Sequence, residues 1–115
     1  MQTDQFSHFP VMVNEVVSFL EPKQEKTYLD CTFGQGGYSR KILESAKCNV
    51  YAIDRDLNSD KYAKILSQKF NKRFTFSNTK FSDLHFFLRK KNIKTIDGMV
   101  LDLGVSNTQL NNPHR

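Results

Sequence analysis

Tryptophan is absent from this chain, and cysteine nearly so: Cys31 and Cys48 are its only two thiols. Two cysteines without C-x-x-C spacing do not complete a zinc tetrahedron, so no metal site is expected. Both sit in predicted strands, which makes buried free thiols in a reducing cytoplasm the expected state. Long apolar runs are missing too, and nothing approaches the length of a membrane span. The start, MQTDQFSHF, lacks the basic onset and apolar core of a secretion signal and the Arg-rich character of a transit peptide. Repeats and low-complexity tracts are absent. These absences point to a soluble, cytoplasmic chain, and its 115 residues suffice for one domain at most. Ten phenylalanines supply the aromatic core, and 17 basic against 12 acidic residues leave a net charge of +5. That balance favours an anionic partner such as RNA, but a solvated Lys-rich surface accounts for it equally well.

Glycine is scarce as well, and its placement is uneven. Three of the five glycines, Gly34, Gly36 and Gly37, fall within four positions of the stretch LDCTFGQGGYSRKIL (29–43). An apolar run ends there in Asp30, and a helical pattern begins directly after the glycines. Glycine admits positive φ and lets a ligand approach where a Cβ would collide. The helix that follows aims backbone N–H groups at the same space. A turn of this kind seats a polar or anionic group.

The surrounding pattern alternates. PVMVNEVVSFLEP places Val13, Val16, Val17 and Leu20 at helical spacing between Pro10 and Pro22. TYLDC (27–31) is predicted as a strand, followed by a helix carrying Ile42, Leu43 and Ala46. NVYAID (49–54) is a second strand. A helix over 58–70 sets Tyr62, Ile65, Leu66 and Phe70 on one face. RFTFS (73–77) is a third strand, and FSDLHFFLRKK a helix with Ser82 as N-cap and a basic last turn. IDGMVLDLG (96–104) reads as a buried fourth strand. The fold class expected is α/β, Rossmann-like, with a parallel sheet flanked by helices. Ligands of such sheets bind outside the carboxyl ends of the strands, where strand order reverses. Strand one ends in Asp30 and the glycines, strand two in Asp54-Arg55-Asp56, and strand four in Asp102-Leu103-Gly104.

Asp54 follows Gly36 by 18 residues, at the next strand end, where a carboxylate can accept both hydroxyls of a ribose. A pyrophosphate fingerprint would need a third glycine where Ser39 stands, and Asp30 would repel a diphosphate. The partial fingerprint therefore argues against a nicotinamide-dependent oxidoreductase. A ribose with a cationic or zwitterionic tail suits the acids better, and S-adenosylmethionine is such a cofactor.

HFPVMVNEVV, YLDCTFGQGGYSRKIL, AIDRD and IDGMVLDLGVSNTQL together resemble, in order and spacing, the RsmH (MraW) family. The resemblance runs from about His8 to Pro113. It implies a class I methyltransferase that uses S-adenosylmethionine to modify the N4 amine of a cytosine in small-subunit ribosomal RNA. Its partners would be ribosomal RNA or the small ribosomal subunit, with no membrane. Carried over by position, it implies cofactor contacts at Gly36, Gly37, Tyr38, Asp54, Phe81, Asp102 and Gln109. Phe81 would pack on the adenine face or, alternatively, cap a helix as a core residue. Asp102 would align the target amine or only bind the cofactor; Ser106 and Asn107 are further candidates. Gln109 would bond the cofactor or the base. His8 would lie over the cofactor or stand on the surface, and RKKNIK (89–94) would meet phosphates or only water. The D/N/S-P-P-Y/F loop of other amino-methyltransferases is missing, with DLGVSN in its place. Tyr38 replaces the usual His, and Thr108, Asn111 and His114 replace the family's Pro, Asp and Glu.

Family members continue well beyond NNPHR, with an inserted helical region and the remaining strands. Residues 1–115 are therefore expected to form the amino-terminal, cofactor-binding part of a methyltransferase domain. A sheet ending at strand 96–102 would leave a hydrophobic edge open to self-association. The competing reading is a non-catalytic remnant that binds RNA or a partner chain.

Overall fold

The computed structural model describes residues 13–101 together with the backbone of 104–107. Among these residues nine α-helices and β-strands follow in chain order: α1 (Val13–Leu20), β1 (Thr27–Asp30), α2 (Gly37–Ser45), β2 (Asn49–Ile53), α3 (Asp60–Phe70), β3 (Phe74–Ser77), α4 (Leu84–Lys90), β4 (Gly98–Leu101) and β5 (Gly104–Asn107). They form one sheet of order β3-β2-β1-β4-β5. The first four of these strands are parallel, as the alternation of the sequence predicts. The chain runs outward from β1 to β3, then returns to lay β4 on the opposite side of β1. Strand order thus reverses at the carboxyl end of β1.

Strand side chains alternate between two buried faces. Tyr28, Val50, Ala52, Phe74 and Val100 share one core with Val17 and Leu20 of α1, Ile42 and Leu43 of α2, and Ala63 and Leu66 of α3. Leu29, Ile53 and Cys31 form the other with Phe87 of α4 and Ile96, and Tyr51, Met99 and Leu101 pack against it. Each fully buried Leu, Ile or Val stabilises the fold by about 1.5–3 kcal/mol. The amino ends of β1 and β4 are locked by Asp97, whose Oδ2 accepts the Thr27 N–H at 2.9 Å while its own N–H donates to the Thr27 carbonyl at 2.8 Å.

Five expectations need correction. Ile65 does not share the buried face of α3: it is 59% exposed, because Ala63 and Leu66 already fill the contact with the sheet. Ser82 does not cap α4; it lies inside a 3₁₀ turn, Phe81–Asp83, that precedes the helix. The apolar run 96–104 is not one strand, since β4 ends at Leu101 and the chain reverses. β5 then pairs antiparallel with β4, Leu101 facing Gly104 and Gly98 facing Asn107. The fourth-strand edge expected to be open is therefore covered, and Ser106 and Asn107, read as loop, lie on a strand. The backbone groups of β4 are satisfied locally, and β5 becomes the outer strand on that side of the sheet.

Candidate functional site

Asp30 lies on the same face of β1 as Tyr28, so its side chain enters the layer beneath α2. It is fully buried, and its carboxylate accepts the Ser39 hydroxyl at 2.6 Å and the Thr32 N–H at 3.2 Å. This acid thus ties the turn to the first turn of α2; it is not presented to a ligand. Two further bonds carry the turn along the strand ends, Cys31 N–H to the Val100 carbonyl and Phe33 N–H to the Ile53 carbonyl.

The glycines then do separate jobs. Gly34 has φ +57° and is exposed, and the nearest atom to a Cβ there would be the Thr32 carbonyl oxygen at 3.9 Å. Gly36 has φ +88° and precedes α2; a Cβ there would stand 2.9 Å from Cζ of Phe33. Gly37 opens the helix. Tyr38 follows it, but its ring is buried in the core with Ile42 and Leu43, so any ligand contact at this position belongs to its backbone.

Asp54 stands just past β2, and here the structure joins two predicted site elements directly. Its Oδ2 accepts the Gly34 N–H at 2.6 Å, and its Oδ1 accepts the Asp56 N–H at 3.0 Å. Each carboxylate oxygen retains a second acceptor position, and the residue is only half-buried. Asp56 continues the same device, accepting the Asn58 N–H at 2.9 Å. Asn78, in the loop after β3, donates its side-chain amide to the carbonyls of Asp54 and Asp56 at 3.2 and 3.5 Å. Asn78 is not among the residues that the sequence singles out; its signal is an amide side chain directly past a strand end. Phe81 opens the 3₁₀ turn beyond the same strand and is 56% exposed, so it is not a helix-capping core residue. Asp102 and Gln109 lie outside the described residues, as does His8.

One buried oxygen is unsatisfied. Among the described residues, the Thr32 hydroxyl is the buried side-chain polar atom without a hydrogen-bond partner. It lies in the turn, beside Asp30 and two residues before Gly34. An open Gly34, a half-exposed carboxylate with acceptor capacity and an orphaned hydroxyl in one turn fit a hydroxylated, zwitterionic ligand such as S-adenosylmethionine. Among the described residues no group of His, Cys, Asp and Glu could hold a metal.

The thiols are not part of this chemistry. Burial, aided by the charge of Asp30, pushes the Cys31 thiol up to about 12. Burial also raises Cys48, with the Arg73 guanidinium opposing it. Both are free and buried, and no helix among the described residues is long and apolar enough to cross a membrane.

Comparison with known proteins agrees with this architecture. Among solved structures, a precorrin 8w decarboxylase from Methanobacterium thermoautotrophicum superposes with a TM-score of 0.62 at 20% identity, over 78% of this chain and 46% of that one. An rRNA methylase from Streptococcus thermophilus superposes with a TM-score of 0.57 at 20% identity, over 75% and 49%. At these identities the likeness is one of fold. In sequence, the chain is 52% identical over 104 residues to the ribosomal RNA small subunit methyltransferase H of Rickettsia massiliae, which covers 90% of this chain and 33% of the relative. The chain thus spans about a third of the length of the curated relatives it matches. The model of the MraW methylase family matches residues 5–115, and with that match over nearly its whole length the chain belongs to the MraW methylase family.

Proposed function

We propose that this chain forms the S-adenosylmethionine-binding part of an enzyme that methylates the N4 amine of a cytosine in small-subunit ribosomal RNA. The observation that carries the reading is the Asp54–Gly34 bond, which sets a partly exposed carboxylate against an open glycine at the strand-order reversal. The relatives named above as rRNA small subunit methyltransferases support the substrate class.

S-adenosylmethionine, when bound, supplies an electrophilic methyl group on a sulfonium. The chain's residues hold and orient it. Asp54 accepts the ribose hydroxyls through the acceptor positions left over from Gly34 and Asp56. Gly36, Gly37 and the backbone of Tyr38 receive the amino-acid end at the start of α2, where N–H groups converge. Phe81 offers its exposed ring to the adenine face. Asp102 aligns the amine of the target base, whose lone pair is delocalised into the ring, and accepts a hydrogen bond from it. Alignment of this kind supplies roughly 7–11 kcal/mol of the barrier through effective molarity. Gln109 completes the contacts, and the base is presented unstacked.

Calorimetry with S-adenosylhomocysteine tests the reading. Saturable binding is expected, and the Asp54→Ala variant is expected to lose it. NADH binding in place of S-adenosylhomocysteine, by a folded chain, would overturn the assignment.

A further inference from the structure

Beside the turn just described lies a concavity that the cofactor reading leaves unused. It is a cleft of about 740 Å³ outside the carboxyl end of β3, at the outer edge of the sheet. The loop after β2 forms one wall with Arg55 and Leu57, residues 76–80 form the floor, and α4 closes it with Phe86, Lys90 and Lys91. Four cations, Arg55, Lys80, Lys90 and Lys91, line it against one carboxylate, Asp83. All four are exposed, and among the described residues none is held in an ion pair.

Two apolar side chains stand open in this basic setting. Phe86 is 70% exposed and Leu57 71%, and neither joins a core. An exposed ring among unpaired cations is what a strand with an anionic backbone and planar bases requires: cations track the phosphates, and the ring receives a base face. A segment of Asp and Glu alone would use the charge and leave the ring without a partner. A duplex would offer phosphates but no free base.

The cleft is also wired to the cofactor turn. Asp54 directs its carboxylate to Gly34, the adjacent Arg55 lines the cleft, and Asn78, itself a lining residue, holds the carbonyls of Asp54 and Asp56. We infer that this cleft holds a single-stranded RNA segment flanking the base to be methylated. The inference rests on the proposed function and adds a positioning surface on the β3 side of the sheet.

The test is fluorescence anisotropy of the chain with a labelled single-stranded RNA of about 12 nucleotides, within the span such grooves cover. Phe86→Ala is expected to weaken binding about fivefold or more without altering its salt dependence. Lys90→Ala/Lys91→Ala is expected to weaken it and to reduce the slope of log K against log salt by roughly 1.4, about 0.7 for each phosphate no longer neutralised. These side chains are exposed, so both variants should keep the far-ultraviolet circular dichroism and S-adenosylhomocysteine affinity of the parent chain. RNA binding unmoved by both variants would overturn the inference, as would polyglutamate competing as well as RNA. Failure to bind RNA with S-adenosylhomocysteine binding intact defeats the cleft alone. RNA binding through the cleft without S-adenosylhomocysteine binding defeats the methyltransferase reading instead.

Discussion

At the scale of single residues, the glycine turn separates two requirements that sequence alone merges. Gly34 and Gly36 both take positive φ, yet only Gly36 is also crowded. The Phe33 ring below it packs against the rings of both Phe74 and Phe76, with centroids 5.5 and 5.0 Å away, so it has little room to yield. Gly34→Ala is expected to cost about 1–2 kcal/mol, the penalty of the left-handed conformation for an L-residue. Gly36→Ala adds overpacking and should cost about 2–4 kcal/mol in total. Urea unfolding of the two variants measures the difference; equal midpoints would show that Phe33 gives way. Asp54 similarly combines roles, since the carboxylate assigned to a ribose already organises the backbone around it.

At the scale of elements, α2 ends without a basic residue in its last turn. The charge comes from elsewhere in the chain. Arg73, in the 3₁₀ turn before β3, donates Nη1 to the carbonyls of Ala46 and Cys48 at 2.9 and 3.1 Å, and Nη2 to that of Leu43 at 3.2 Å. Its guanidinium also lies over the Phe70 ring, 5.3 Å from the centroid. One planar fork thus satisfies three carbonyls at a helix end and joins α2 to the α3–β3 connection. Arg73→Met keeps the stem and loses the bonds, and should lower stability by about 2–3 kcal/mol. Arg73→Lys should recover little of this, because a single ammonium does not span the fork. A lysine variant as stable as the parent would reduce the residue's role to its charge.

At the scale of the whole molecule, two cores bury both faces of the sheet, and Cys31 sits within the second of them. Its thiol is pushed from an ordinary value of 9.0 to about 12 by burial. Between these two values the unfolded chain has released a proton that the folded chain retains. The stability this group contributes is therefore fully present below about pH 9 and falls as pH rises from there toward about 12. Cys48, raised in the same direction, adds to the decline. Urea unfolding repeated across alkaline pH should show it, and Cys31→Ala should flatten it. In keeping with a buried neutral thiol, iodoacetamide at pH 8 should label Cys31 far faster in urea than in buffer.

What the sequence by itself determined is the layered α/β order and the strand ends at which its acids and glycines gather. Period-2 and period-3.6 patterns are local, as are the glycine cluster and the acids at the strand ends, and the strand-end rule follows from their order. Asp54, an acid just past β2, was legible for that reason, whereas Phe81 came only from the family resemblance. Tertiary structure decided how those groups are used. Asp30 turned inward because strand alternation puts it beneath Ser39, and the Tyr38 ring went to the core because α2 packs that face on the sheet. Ile65 was left outside once Ala63 and Leu66 filled the available contact. β5 reversed onto β4 because an open row of backbone groups is satisfied by the nearest chain that can pair with it. The cleft beside β3 draws its cations and its ring from three separated segments, and only the folded sheet brings them to one edge.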